Sequence, residues 1–267
     1  MAYREFPART ELSDLVACTW ERAVPQNGAP PPAHRVVPDG CVDLIWRGSD
    51  LVVAGPDRGP VLSSIDAGTT VVGLRLRPGV AGPALGLPAS ELGEMRLPLD
   101  RVWGKAGAEI AERVGVAEGP LARRRLLEET LLARRAVMDD PDPLVIAATR
   151  RLGRPGSRVR SLSDALATSE RQLLRRFRAA VGYGPKTLDR VLRFQRFLSR
   201  VPAIAGGDEG LAWVAADLGY ADKAHLTREC TALSGLTPTR VVEAAGPPSA
   251  ATIASAWRGS SVGRAHD

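Results

Sequence analysis

Two short runs of basic residues stand out in the C-terminal part of the chain. The more regular run contains Arg171, Arg175 and Arg178, at intervals of four and three residues. In a helix of about 3.6 residues per turn, this spacing places the three side chains on one face, opposite the apolar Leu173 and Phe177. Guanidinium groups in such a row neutralise phosphates, so the pattern favours binding to a nucleic acid. The alternative for any basic run is a solvated, salt-bridged helix face.

The formal net charge of +6 is distributed unevenly along the 267 residues. Residues 1–120 contain 12 Lys+Arg against 15 Asp+Glu, a net charge of −3, whereas residues 143–245 contain 17 against 9, a net charge of +8. This asymmetry is typical of an acidic or neutral sensor joined to a module that neutralises phosphates.

The basic runs belong to an internal repeat. Segments 166–185 and 218–238 align when one extra residue is allowed in the second turn. The aligned pairs are Leu173 and Leu226, Arg175 and Arg228, Phe177 and Cys230, Gly182 and Gly235, and Pro185 and Pro238. Because apolar and basic positions coincide, each copy is predicted to be the same small structural unit.

Each copy predicts a short supporting helix, a tight turn and a second helix. Ser169 and Asp222 stand where an N-cap is needed, because their side-chain oxygens accept hydrogen bonds from the first turn of a helix. Gly182 and Gly235 stand at the other end, where a helix commonly closes on a left-handed residue. The sequence therefore predicts two helix-turn-helix units.

The repeat resembles the DNA-binding domain of the AraC/XylS family of transcription regulators. The resemblance rests on the two helix-turn-helix units, the long helix predicted between them at Lys186 to Arg200, and the terminal Gly-Leu-Thr-Pro-Thr-Arg at 235–240. It implies a sequence-specific transcription factor with no enzymatic activity. It also implies that the two recognition helices enter successive major grooves of double-stranded DNA, about 34 Å apart.

The resemblance also assigns roles to individual side chains. The positions implied to face bases are Arg171, Leu174 and Arg175 in the first recognition helix, and Lys223, Ala224, His225, Thr227 and Arg228 in the second. The positions better suited to phosphate are Arg176, Arg178, Lys186 and Arg193. For His225, a helix-surface position without DNA contact is an equal alternative. Two residues depart from the family pattern, since Ala167 replaces a usual Gly and Cys230 replaces a usual Phe.

The first hundred residues predict β-structure. Short Val-, Ile- and Thr-rich segments at 36–37, 41–46, 51–54 and 69–76 are bounded by Pro, Gly and Asp. A small barrel or sandwich is expected. Through segments 37–46, 54–56 and 72–79, this half resembles the cupin-like sensor domains of some actinobacterial AraC-type regulators. The residues expected at the mouth of an effector pocket are Asp39, Cys41, Asp43, Trp46, Arg75 and Arg77. In the alternative interpretation, 38–40 is only a turn and the two arginines are a solvent face.

The expected fold class is α+β. A β-rich, barrel-like sensing domain at 1–105 is followed by a helical connector at 106–142 and an all-α domain at 143–248 with two helix-turn-helix motifs joined by a long helix. The acidic, proline-punctuated stretch 139–143 marks the boundary. The polar tail at 249–267 is expected to be disordered.

The sequence leaves two alternatives from other functional classes. Cys41 with His34 is a candidate nucleophile and base, or a thiol that senses oxidants, although no third orienting group is identifiable. An architectural or RNA-binding protein is the other alternative, but aromatic residues for base stacking make up only 4% of the chain.

The composition gives no reason to expect a cofactor, a metal site or a disulfide framework. Cys18, Cys41 and Cys230 are odd in number and widely spaced. The chain has no run of 18 apolar residues, so a cytoplasmic protein without membrane contact is expected. The predicted partners are promoter DNA, a small-molecule effector, RNA polymerase and a second copy of the chain.

Overall fold

A computed structural model of the protein describes residues 2–24, 26, 34–157 and 159–245. The tail predicted at 249–267 and the side chain of His34 lie outside the described part. The chain is a mixed α+β structure, as predicted, with a β-rich N-terminal region and a helical C-terminal region.

The N-terminal region contains a six-stranded antiparallel sheet and a two-stranded one. The strands are β1 (Ala2–Phe6), β2 (Val16–Ala23), β3 (His34–Val36), β4 (Val42–Trp46), β5 (Leu51–Ala54), β6 (Val61–Ser63), β7 (Thr70–Leu76) and β8 (Arg96–Pro98). The order in the large sheet is β1-β2-β7-β4-β5-β8, and β3 pairs with β6. Among the described strands, β1 and β8 pair on one side only, so the large sheet is open and the small sheet faces it.

The two faces of the large sheet have different neighbours. Successive side chains of a strand point to opposite faces, so Val42, Leu44 and Trp46 of β4 share one face while Asp43 and Ile45 share the other. The first face packs into the main apolar core, and the second lines a cavity.

Four helices accompany the large sheet: α1 (Ala81–Leu85), α2 (Leu99–Trp103), α3 (Lys105–Val116) and α4 (Gly119–Arg135). Val114, Leu127 and Leu131 are fully buried in the same core as the sheet. The helices predicted as a connector therefore contribute to the core of the N-terminal region, while the predicted domain boundaries stay predictions.

The C-terminal region consists, in the described residues, of seven α-helices and one short 3-10 helix (Val159–Ser161). The α-helices are α5 (Pro143–Gly153), α6 (Leu162–Ala165), α7 (Glu170–Val181), α8 (Pro185–Gly206), α9 (Leu211–Asp217), α10 (Lys223–Ser234) and α11 (Pro238–Ala245). The predicted long helix is α8, which extends six residues beyond Arg200 and ends before Gly207 at φ +83°.

The long helix α8 joins two separate apolar cores. Its Leu188 and Leu192 pack with Phe177 of the first helix-turn-helix unit. Its Val191 and Phe194 pack in the core of the second unit. A single rigid helix thus sets the relative positions of both units. No helix in the described ranges is long and apolar enough to cross a membrane.

Candidate nucleic-acid interface and sensor cavity

The first recognition helix, α7, forms as the repeat predicts. The Ser169 Oγ accepts a hydrogen bond from the Gln172 N–H at 3.2 Å, and Gly182 closes the helix at φ +92°. With Leu173 and Phe177 buried, the opposite face exposes Arg171, Arg175 and Arg178, which we name the arginine row. Leu174 lies beside the row and is 37% exposed.

The phosphate candidates differ in their surroundings. Lys186 is exposed at the start of α8, and Arg178 belongs to the arginine row. Arg176 points elsewhere, with its Nε 3.2 Å from Asp142 Oδ2. Arg193 binds Asp189 at 2.5 Å and lies over the Tyr220 ring, 5.4 Å from the centroid, so it serves packing inside the unit. The structure thus leaves Lys186 and Arg178 the more accessible of the four.

The second recognition helix, α10, begins at Asp222, whose Oδ1 accepts from the His225 N–H at 2.6 Å. Lys223, Ala224 and Arg228 are exposed. Thr227 is half-buried and donates from its Oγ1 to the carbonyl of Lys223 at 2.9 Å. The exposed face of α10 therefore presents fewer cations than the arginine row.

His225 is engaged within its own unit. Its Nδ1 accepts a hydrogen bond from the Ala221 N–H at 3.2 Å, and its Nε2 lies 3.4 Å from Glu229 Oε1. Its ring meets Tyr220 edge-on at 5.5 Å between centroids. These contacts favour the surface alternative over base contact for this residue.

The two departures from the family pattern have visible consequences. Ala167 adopts φ +47° in the first turn, whereas the matching Gly219 adopts φ +78° in the second. A residue with a Cβ is strained in this left-handed region. Cys230 is fully buried in the core of the second unit, and burial raises its pKa to about 11.

A cavity of 530 Å³ lies between the large sheet and the β3–β6 ribbon. The strand registers arrange its floor in rows that cross the sheet. The inner row comprises Arg75, Asp43, Ala54 and Arg96; the middle row comprises Trp20, Ile45 and Val52; and the outer row comprises Arg22 and Val71, with Arg47 directly after the end of β4. The floor is thus polar at one end and apolar in the middle.

The inner row is centred on Arg75. Its guanidinium donates to both oxygens of Asp43 at 3.0 and 3.1 Å, and it lies 3.4 Å from Asp39 and 3.5 Å from Glu5. Burial raises the pKa of Asp43 to about 6, although the Arg75 charge opposes that shift. Beside this cluster, Arg96 donates to Asp57 at 2.9 and 2.7 Å.

The cavity gathers four of the six predicted pocket residues, namely Asp39, Cys41, Asp43 and Arg75. Trp46 does not line it, because strand alternation turns this side chain into the main core. Arg77 does not line it either, since it follows the end of β7 and donates to the carbonyl of Ser13 at 3.0 Å. The prediction that Trp46 and Arg77 line the pocket is therefore wrong.

Sequence reasoning missed other cavity residues, above all Trp20, Arg22 and Arg96. Strand β2 was not predicted, and β8 is only three residues long. The available signal was the alternation of side chains within β4: Asp43 and Trp46 are three residues apart and therefore point to opposite faces of the strand.

Cys41 does not have the environment of a reactive thiol. Its residue exposure is 6%, and burial raises its pKa well above the ordinary value. A thiol in this state is a poor nucleophile. In the described ranges, no group of three His, Cys, Asp or Glu side chains is placed to hold a metal ion.

Two loops of the N-terminal region, 37–41 and 56–60, contact the helix-turn-helix units; we name them the docking loops. The Arg58 guanidinium donates to the carbonyl of Gly182 at 3.2 Å, and Gln195 of α8 donates to the carbonyl of Pro38 at 2.6 Å. Val37 is buried in the core of the second unit. Asp39, Cys41 and Asp57 of these loops also line the cavity.

Comparison with known protein families finds a match in each half of the chain. Residues 162–244 match a helix-turn-helix domain, and residues 4–98 match a domain of unknown function (DUF6597). Among curated proteins, no significant sequence match is found. The helix-turn-helix match confirms the prediction of a DNA-binding domain at the C-terminus.

Solved structures give a distant likeness. One is ToxT from Vibrio cholerae, at 12% identity and TM-score 0.39, covering 91% of this chain and 98% of that chain. Another is ToxT from Vibrio cholerae bound to (E)-4-(8-methylnaphthalen-1-yl)but-3-enoic acid, at 9% identity and TM-score 0.38, covering 91% and 99%.

Proposed function

We propose that this chain is a DNA-binding transcription regulator of AraC type whose helix-turn-helix domain reads DNA with α7 and α10 in neighbouring major grooves. The carrying observation is the arginine row, which is exposed on an N-capped helix in a region of net charge +8 from 17 basic and 9 acidic residues. No catalytic step belongs to this proposal.

The two helices have different proposed roles in recognition. Arg171 and Arg175 are proposed to bond guanine O6 and N7, while Arg178 and Lys186 position the domain on phosphates. On α10, Lys223 and Arg228 are the proposed polar contacts, and Leu174 and Ala224 suit thymine methyl groups. We infer action in the cytoplasm because the target is promoter DNA; RNA polymerase and a second copy of the chain stay predicted partners.

Selection of bound sequences from a random DNA pool, followed by footprinting, tests this proposal with the full chain. We expect one protected site of about 20 base pairs. Arg171→Ala is expected to weaken binding by about 1–3 kcal/mol and to relax the preference at one base pair.

Arg125→Ala is the matched control, because Arg125 is an exposed arginine on α4 of the sensing region. It removes the same charge away from the proposed interface. Sequence-blind binding, or equal losses for both variants, contradicts site-specific reading by α7.

We further propose that a small molecule in the cavity modulates DNA binding through the docking loops. Supporting this, the same loops line the cavity and touch the C-terminal end of α7 and the middle of α8. A ligand that moves these loops would therefore also move their contacts with α7 and α8, which are made by Arg58 and the Pro38 carbonyl.

Removal of the Arg58 and Gln195 side chains tests the docking role. The double alanine variant is expected to weaken DNA binding about threefold, since preorganisation of the two units is lost. Arg47→Ala, at the far end of the cavity, is the control. Unchanged or tighter binding by the double variant contradicts the docking role.

A further inference from the structure

The inner end of the cavity carries more carboxylates than guanidiniums. Asp39, Asp43 and Glu5 surround the single guanidinium of Arg75. The neighbouring Asp57 and Arg96 neutralise each other. Each ionised carboxylate has about four acceptor sites, so hydrogen bonds from one arginine leave acceptors of the three carboxylates unfilled. A positive group on a ligand would complete this end of the cavity.

The outer end has no such excess. Arg22 and Arg47 line it with Asp50 and Asp66, and Arg47 pairs with Asp50 at 2.5 Å. The distribution of charge along the cavity therefore gives a bound molecule a direction, with its cationic group toward the inner row.

Two aromatic side chains lie next to the carboxylates. Tyr3 and Trp20 have ring centroids 5.8 Å apart, and the Tyr3 hydroxyl donates to Glu5 at 2.8 Å. Aromatic faces attract cations, and the Tyr3 ring already lies 5.4 Å from the Arg22 guanidinium carbon. Because Arg22 already occupies the Tyr3 face, Trp20 is the ring that would pack against the aromatic body of a bound amine.

The Trp20 side chain supplies apolar surface to the cavity. The residue is 7% exposed and lines the cavity, and its ring packs over Gly73. Ile45, Val52 and Val71 line the same part with apolar surface.

We infer that the cavity binds an organic amine on an aromatic-sized apolar body, with the ammonium group between Asp39 and Asp43 and the body beside Trp20. This rests on the proposed role of the cavity as the effector site and names the class of effector. The cavity volume of 530 Å³ suits a molecule of that size.

Calorimetric titration of the full chain tests the inference with three probes that share one indole body: tryptamine, indole-3-propionate and tryptophol. Tryptamine is expected to bind at least about tenfold more tightly than the acid or the alcohol, because only the ammonium pairs with the carboxylates. Preferred binding of the acid or the alcohol, or no binding of tryptamine, overturns the inference.

Variants locate the binding site. Asp43→Asn and Asp39→Asn are each expected to weaken tryptamine binding about tenfold, whereas Asp66→Asn at the outer end stays within about twofold. Asp39→Asn serves if Asp43→Asn does not fold, because Asp39 makes only one of the contacts to Arg75. Equal effects of Asp39→Asn and Asp66→Asn overturn the assignment to the inner row.

DNA binding measured on the same samples separates this inference from the proposed function. If DNA binding is site-specific and tryptamine does not bind, only the ligand class fails. If tryptamine binds as expected and DNA binding is sequence-blind, only the proposed reading of DNA fails.

Discussion

The two helix-turn-helix units have the same framework and different faces. Both recognition helices begin at a capping side chain and close on a left-handed glycine. The first exposes the arginine row, whereas the second exposes Lys223, Ala224 and Arg228 and holds His225 in a local network. The framework is thus set by positions that the repeat preserves, and DNA preference by positions that it does not.

The units also differ inside. Phe177 fills the first core, whereas the matching Cys230 is a small side chain whose Sγ lies 3.7 Å from Ser234 Oγ. In the turn, the first unit has the strained Ala167 where the second has Gly219. The first unit therefore combines the larger core residue with the less favourable turn.

The largest expected effect is a difference in stability between substitutions in the two helix-turn-helix cores. Phe177→Ala is expected to lower the free energy of unfolding by about 3–5 kcal/mol, because it leaves a cavity in a close-packed site, and Cys230→Ala by only about 1 kcal/mol. Denaturant unfolding of each variant measures both values. Equal losses contradict the unequal-core comparison.

The next largest effect is a difference in DNA affinity between substitutions on α7 and on α10. Arg175→Ala is expected to weaken binding to the selected site by about 2–3 kcal/mol and Arg228→Ala by about 1–2 kcal/mol, since α7 is proposed to supply more of the guanine contacts. Fluorescence anisotropy at one salt concentration measures both. A larger loss for Arg228→Ala reverses the proposed ranking of the helices.

The smallest effect exchanges the turn residues. Ala167→Gly is expected to stabilise the protein by about 0.5–1 kcal/mol by relieving left-handed strain, and Gly219→Ala to destabilise it by about 1 kcal/mol. Thermal unfolding at matched concentration detects both shifts. Destabilisation by Ala167→Gly contradicts the strain at this turn.

Local sequence signals predicted the helical half well. The N-caps at Ser169 and Asp222 and the left-handed closures at Gly182 and Gly235 are confirmed. These features depend on hydrogen bonds within a few residues, so a single segment contains the whole signal.

The N-terminal half was predicted less completely. Strands β4, β5 and β7 were expected, but β1, β2, β6 and β8 were not. A strand's stability depends on its partner strands, so short sequence patterns specify it poorly.

By itself, the sequence determined the repeat, the arginine row and the division of charge between the two halves, because helical periodicity and capping are local. Only the tertiary structure decided that Trp46 enters the core, that Arg77 leaves the cavity, and that three carboxylates surround Arg75. It also decided that the docking loops connect the cavity to α7 and α8. Those arrangements come from strand pairing and packing between residues far apart in the chain, which no local pattern encodes.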